Sequence, residues 1–159
     1  MKLTESRVLL LNRVSISVLV LYLAALSLLH AAAIYEAAQV AQTAIAANEQ
    51  VVQLSAMPVE ADPLKWRLVV ATETAFHVGT LAFLGGEPIL KRIEREQGDP
   101  EAIETAKLSE KGSRFLRFAR FPVFRAIETG GAREIEIQDI RFADVTNRFK
   151  VTIPISKSN

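Results

Sequence analysis

The chain has 159 residues, a net charge of +1, no cysteine, and hydrophobic residues at half of its positions. That length allows one anchor and one domain rather than two domains. The balanced charge excludes a protein steered as a whole to nucleic acid. The missing thiols exclude disulfides, thiolate chemistry and Cys-ligated zinc.

Residues 14–35 form an uncharged run of 22 residues between Arg13 and Glu36. As a helix it would be about 33 Å long, against roughly 30 Å for the hydrocarbon core of a bilayer. A transmembrane anchor is predicted, with the lipid bilayer as first partner. Lys2, Arg7 and Arg13 precede the run, and the next basic residue is Lys65. The positive-inside bias therefore puts the N-terminus in the cytoplasm and the rest of the chain across the cell (inner) membrane, periplasmic or extracellular. Ala31-Ala32-Ala33 resembles a signal-peptide cleavage site. The apolar run exceeds the ~7–15 residues of a signal-peptide core, so an uncleaved anchor is favoured. His30 lies inside the run, near its far end, where a neutral imidazole reaches interfacial water. Residues 36–56 are rich in Ala, Gln and Val and read as a helical extension. Its small-residue face, Ala37, Ala41 and Ala44, is a candidate contact for another helix, from this chain, a second copy or a polytopic membrane partner. The anchor region is thus predicted to span residues 1–56, and an extramembrane domain residues 57–159.

In that domain Pro58 and Pro63 bracket a linker, and residues 66–73 and 76–84 read as neighbouring antiparallel strands ending at Gly85-Gly86. Asp99-Pro100-Glu101 starts a helix that should run through Phe115 and Phe118 to the block set by Pro122. Three strand segments follow, 123–129, 133–142 and 148–155, with a turn at Gly130-Gly131 and a bulge near Asp139. The expected fold is α+β: one transmembrane helix, then a small antiparallel sheet of about five strands with one long helix packed on it.

Chemistry is sparse. His77 stands in a strand four residues after Glu73, about 13 Å away at ~3.3 Å per residue, too far for shared metal ligation. No nucleophile elbow, phosphate loop or zinc-binding helix motif occurs. Asp139 and Arg141 read as an ion pair, because a carboxylate beside an arginine is held ionised rather than tuned to give up protons. Residues 114–125 interleave Arg and Phe, with Arg120 beside Phe121. Core phenylalanines and solvated arginines account for that pattern, and the charge balance argues against nucleic acid. Candidate polar residues are therefore Arg120, Asp139, Arg141 and His77; no cofactor is evident.

Met57-Pro58, residues 63–67, residues 115–122 and residues 139–142 together resemble the C-terminal portion of the bacterial inner-membrane proteins called membrane-bound metal-dependent hydrolases. The resemblance covers roughly the last 140 residues. It implies several transmembrane helices, a histidine motif near the N-terminus and a C-terminal soluble domain; it alone implies a divalent metal. No position here corresponds to those histidines, so no hydrolase activity carries over to a residue. Three readings follow. The first is a membrane-anchored, non-catalytic domain that binds a partner or ligand, such as the accessory half of a split hydrolase. The second is a membrane-bound hydrolase acting through an unidentified site, with His77, Glu73 and Asp139 as the only polar candidates. The third is a structural subunit of a membrane assembly.

Overall fold

The computed structural model describes residues 5–45, 49–60, 62–142 and 149–155. It is α+β, with one long N-terminal apolar helix and eight strands in two four-stranded sheets. The chain divides into two compact units, residues 1–70 with 78–91 and residues 71–77 with 92–159.

The first unit is built on helix α1, Glu5–Ala44, 40 residues or about 60 Å long. Residues 7–25 are exposed without exception, although fourteen of the nineteen are apolar. Beyond them Ala33, Ala37, Ala41 and Ile45 are buried, four apart and hence on one helix face. That face packs on the first sheet, of order β1-β2-β3-β4: β1 Val51–Val59, β2 Asp62–Thr72, β3 Ala75–Ala82 and β4 Lys91–Glu94. Ala33 and Ala37 meet Ala56, Trp66, Leu68 and Leu81, while Ala41 and Ile45 meet Val70. Small side chains let the helix backbone lie close to the strands.

Two expectations change here. The helical extension to residue 56 stops at Ala44, and residues 51–59 form β1 instead. The adjacent β-branched Val51 and Val52 favour a strand, and Pro58 is tolerated because β1 is an edge strand, where a missing N–H need not break the ladder. The 56/57 boundary therefore falls inside a strand. The Ala37 and Ala41 part of the candidate partner face is covered by the chain's own sheet, not by another helix; the Ala44 side chain lies outside what is described.

The second unit contains the sheet β5-β6-β7-β8, formed by Glu96–Gln97, Pro122–Thr129, Ala132–Asp139 and Lys150–Pro154. Its pairs are antiparallel except β5 with β6, which is parallel. The β6–β7 hairpin closes through Gly130 and Gly131 at φ +60° and +83°, the left-handed pair a two-residue turn requires. Ile135 and Ile137 of β7 point inward with Phe124, Val151 and Ile153, and Ile103 and Ala106 of a helix cover them.

That helix is not the single long one expected. Helix α2, Pro100–Leu108, begins as predicted, with the Asp99 carboxylate accepting from Glu101 N–H at 3.2 Å. It ends at Ser109, whose extended backbone caps it and whose hydroxyl accepts from Gly112 N–H at 3.0 Å to start α3, Glu110–Leu116. The elbow depends on Gly112, where a Cβ would overlap the Ala106 carbonyl oxygen. Gly112→Ala should cost about 3 kcal/mol, as overpacking does in a tight core. Thermal melting within a few tenths of a degree of wild type would contradict this. Strand β7 also differs from expectation. It has no bulge; it ends at Asp139 and passes into a 3-10 turn, Ile140–Phe142. Asp144 and Arg148 lie outside the described residues.

Candidate functional site

Three of the four polar residues singled out in the sequence, Arg120, Asp139 and Arg141, meet at the end of β7. Asp139 is 2% exposed. Its carboxylate accepts from the Arg120 N–H at 2.8 Å, from the Arg141 N–H at 3.0 Å, and from the Arg141 side chain through Nε at 3.1 Å on Oδ1 and Nη2 at 2.7 Å on Oδ2. The guanidinium is therefore bidentate, and its Nη2 also donates to the Phe118 carbonyl at 3.2 Å. The guanidinium lies 5.1 Å from the Phe142 ring centroid, within cation–π range. Burial pushes the Asp139 carboxyl up; the Arg141 side chain and the Arg120 and Arg141 N–H groups outweigh it, and hold it below the usual carboxylate range. A carboxylate so held does not exchange protons near neutral pH. It works as a clasp.

What the clasp holds is the segment from residue 117 to 121. Phe118 N–H and Ala119 N–H both donate to Phe115 C=O at 3.0 Å, and Ile140 N–H donates to Phe121 C=O at 3.0 Å. Phe121 is fully buried and meets Phe76 edge-to-face at 5.7 Å. Phe118 instead is 78% exposed, flanked by the exposed Arg117 and Arg120. The expectation that Phe115 and Phe118 share a buried face fails because α3 ends at Leu116, so Phe118 no longer keeps helical phase with Phe115. Of the sequence candidates, Arg120 contributes its backbone to the clasp, while Asp139 and Arg141 contribute side chains.

His77 lies in β3, buried at 6% exposure, and Glu73 is exposed in the turn before that strand, not within it. Among the described residues no group of three or more His, Asp or Glu side chains could hold a metal. The divalent metal implied by the sequence resemblance therefore finds no fitting donor set there.

Two arrangements were not visible in the sequence. Lys107 sits 2.6 Å from both Glu96 and Glu104 and over the Phe124 ring. Burial pushes its amine down, but the two carboxylates prevail and hold it above the ordinary lysine value. Arg95 lies over the Phe76 ring and donates to Thr72 C=O at 3.2 Å. Lys107 thus ties α2 to β5, and Arg95 ties the β4–β5 junction to the end of β2 and the start of β3. A surface groove of about 1040 Å³ beside α2 is lined by Asp99, Glu101, Glu128 and Glu134, with Arg133 as the one cation among the described residues that line it. Its carboxylates show no arrangement that names a reaction.

Comparison with family models, with curated proteins and with solved structures found no match.

Proposed function

We propose that this chain is a single-pass, membrane-anchored, non-catalytic protein whose extramembrane units bind a partner or ligand. One observation carries the reading. Helix α1 is long and apolar enough to cross a membrane, and its exposed stretch, residues 7–25, is about 28 Å long at ~1.5 Å per residue. In water so many bare apolar side chains would be costly and prone to aggregate; in lipid they are at home. The same helix then enters the core of the first unit through Ala33, Ala37 and Ala41. Cleavage after Ala33 would remove residues that the sheet packs against, which supports a retained anchor rather than a shed leader. The basic residues before the span support a cytoplasmic N-terminus, with the folded units across the cell membrane.

The non-catalytic part of the reading draws on the clasp, where the most buried carboxylate among the described residues is committed to holding a loop. That loop presents Phe118 between two arginines, the kind of exposed aromatic and cationic group that interfaces use. The sequence resemblance suggests one version of the partner, a polytopic membrane protein carrying the metal-binding half of a split hydrolase. The residues that carry the resemblance, among them Pro63, Trp66, Phe121, Asp139 and Arg141, serve the fold in this chain.

Alkaline carbonate washing of membranes tests the anchor: the protein should stay in the pellet. A reporter fused after residue 155 should be active only on the far side of the membrane. Release of the intact chain into the wash would overturn the reading.

A further inference from the structure

We infer that the second unit carries both halves of a contact between copies of this chain: the loop bearing Phe118 on one copy seats in the acidic groove beside α2 on the next. This rests on the partner-binding reading above and names the partner, a second copy.

The two surfaces lie at opposite ends of one sheet. Strand β6 starts at Pro122, which is paired with Asp139, the residue whose carboxylate holds the Phe118 loop. Six residues later the strand reaches Glu128, which is paired with Arg133 near the hairpin and lines the groove. At ~3.3 Å per residue the two ends are about 20 Å apart. The loop cannot fold back into its own groove, because Asp139 fixes the Arg120 N–H and Arg141 fixes the Phe118 carbonyl. A contact between the two surfaces therefore needs a second copy.

Their chemistry is complementary. The loop projects an apolar ring, Phe118, between Arg117 and Arg120, and all three side chains are exposed. Neither arginine side chain is in an ion pair among the described residues. The groove offers the converse. Its floor is apolar, with Ala102, Ala126, Ile135 and Ile155. Its carboxylates outnumber its one cation, Arg133, by four to one among the described residues that line it. Aromatic residues and arginine are the types that interfaces concentrate, and facing charges of opposite sign steer encounter and fix register. The groove holds about 1040 Å³, the upper end of the roughly 300–1,000 Å³ of small-ligand sites, which suits a cluster of side chains. The clasp thereby acquires a purpose, since a loop already held rigid loses less entropy on docking than a loose one.

Loop and groove differ, so the contact is heterologous, and each pairing leaves one free loop and one free groove. Copies anchored in one membrane stand the same way up. The series therefore extends in the membrane plane as a row, or closes as a ring where the rotation between copies allows.

Charge reversal tests the contact on the full chain. Arg117→Glu with Arg120→Glu reverses the loop; Glu101→Arg with Glu128→Arg reverses the groove. All four side chains are exposed, so the melting of wild type should be kept. Each protein is labelled with donor or acceptor dye through Thr43→Cys, the chain having no cysteine of its own, and reconstituted in phosphatidylcholine vesicles. Energy transfer between copies should be present in wild type and fall about fivefold or more in either reversed variant. Mixed one to one, the two variants should recover it, because each then meets the surface its own copy lacks. Phe118→Ala should weaken association about tenfold. Wild-type transfer in both reversed variants, or no recovery on mixing, would overturn the inference. A monomeric wild type that stays in carbonate-washed membranes would overturn it too, and would leave the anchored reading standing. Release of wild type into the wash would remove the anchor and the membrane-plane row, while recovery on mixing in solution would still support the contact.

Discussion

Replacement of Asp139 by asparagine is expected to destabilise the fold by about 3 kcal/mol, because it leaves a partly buried guanidinium facing an amide N–H₂ where it had a carboxylate. For a chain of this size that is a fall in Tm on the order of 10 °C, measurable by circular dichroism in detergent. The reasons are the 2% exposure of Asp139 and its four bonding donor groups. Arg141→Lys should fall between wild type and Asp139→Asn, since a lysine keeps the charge but not the bidentate fork. The pH dependence follows from the sign of the Asp139 shift. Its folded pKa lies below the unfolded value of about 3.9. The stabilisation is therefore fully present above that value, and it is lost as pH falls through the folded pKa. Wild type should lose stability below about pH 4 more steeply than Asp139→Asn. Parallel acid limbs for the two proteins would show that the clasp is not the group that titrates.

The second large effect concerns the bare half of α1. Leu19→Arg with Leu23→Arg places two cations in mid-span, each costing about 2.5–3.5 kcal/mol of insertion free energy. Leu19 and Leu23 are 55% and 53% exposed and touch no core, so the folded units should be unaffected. The expected result is loss of the protein from carbonate-washed membranes, with the melting of the soluble material preserved. Were α1 merely a surface helix of a water-soluble protein, the double variant would fractionate like wild type and be more soluble.

The sequence made the long apolar helix legible because its uncharged run is continuous, and it marked the Asp99 cap and the Gly130-Gly131 hairpin because both rest on local backbone chemistry. The pairing of Asp139 with Arg141 was also readable from their spacing. Local signals did not reveal the tertiary reasons for the remainder. Ala37 and Ala41 read as a helix-facing stripe, and only the fold shows that a sheet takes that place. The run from Pro100 to Phe118 has uninterrupted helical periodicity, and its break at Ser109 follows from the close approach of Gly112 to Ala106. Strands β4 and β5 are four and two residues long, too short to leave a pattern. For the site, Arg120 was noted for its side chain, whereas the structure uses its N–H. Nothing local distinguishes the exposed Phe118 from the buried Phe121 three residues later.

The unbroken run of α1 from its bare half into the sheet has a mechanical consequence. Ala33, Ala37 and Ala41 lock the helix against rotation about its own axis, so in the anchored reading proposed above the azimuth of its bare half is dictated by the sheet. Extrapolated at ~3.6 residues per turn, the side of the helix below the sheet passes near residues 11, 15, 22 and 26, and the opposite side near 13, 17, 24 and 28. In that reading any neighbour of the bare half would meet a preset stripe, and a twist imposed on it would be transmitted as torque to the strands that α1 packs on.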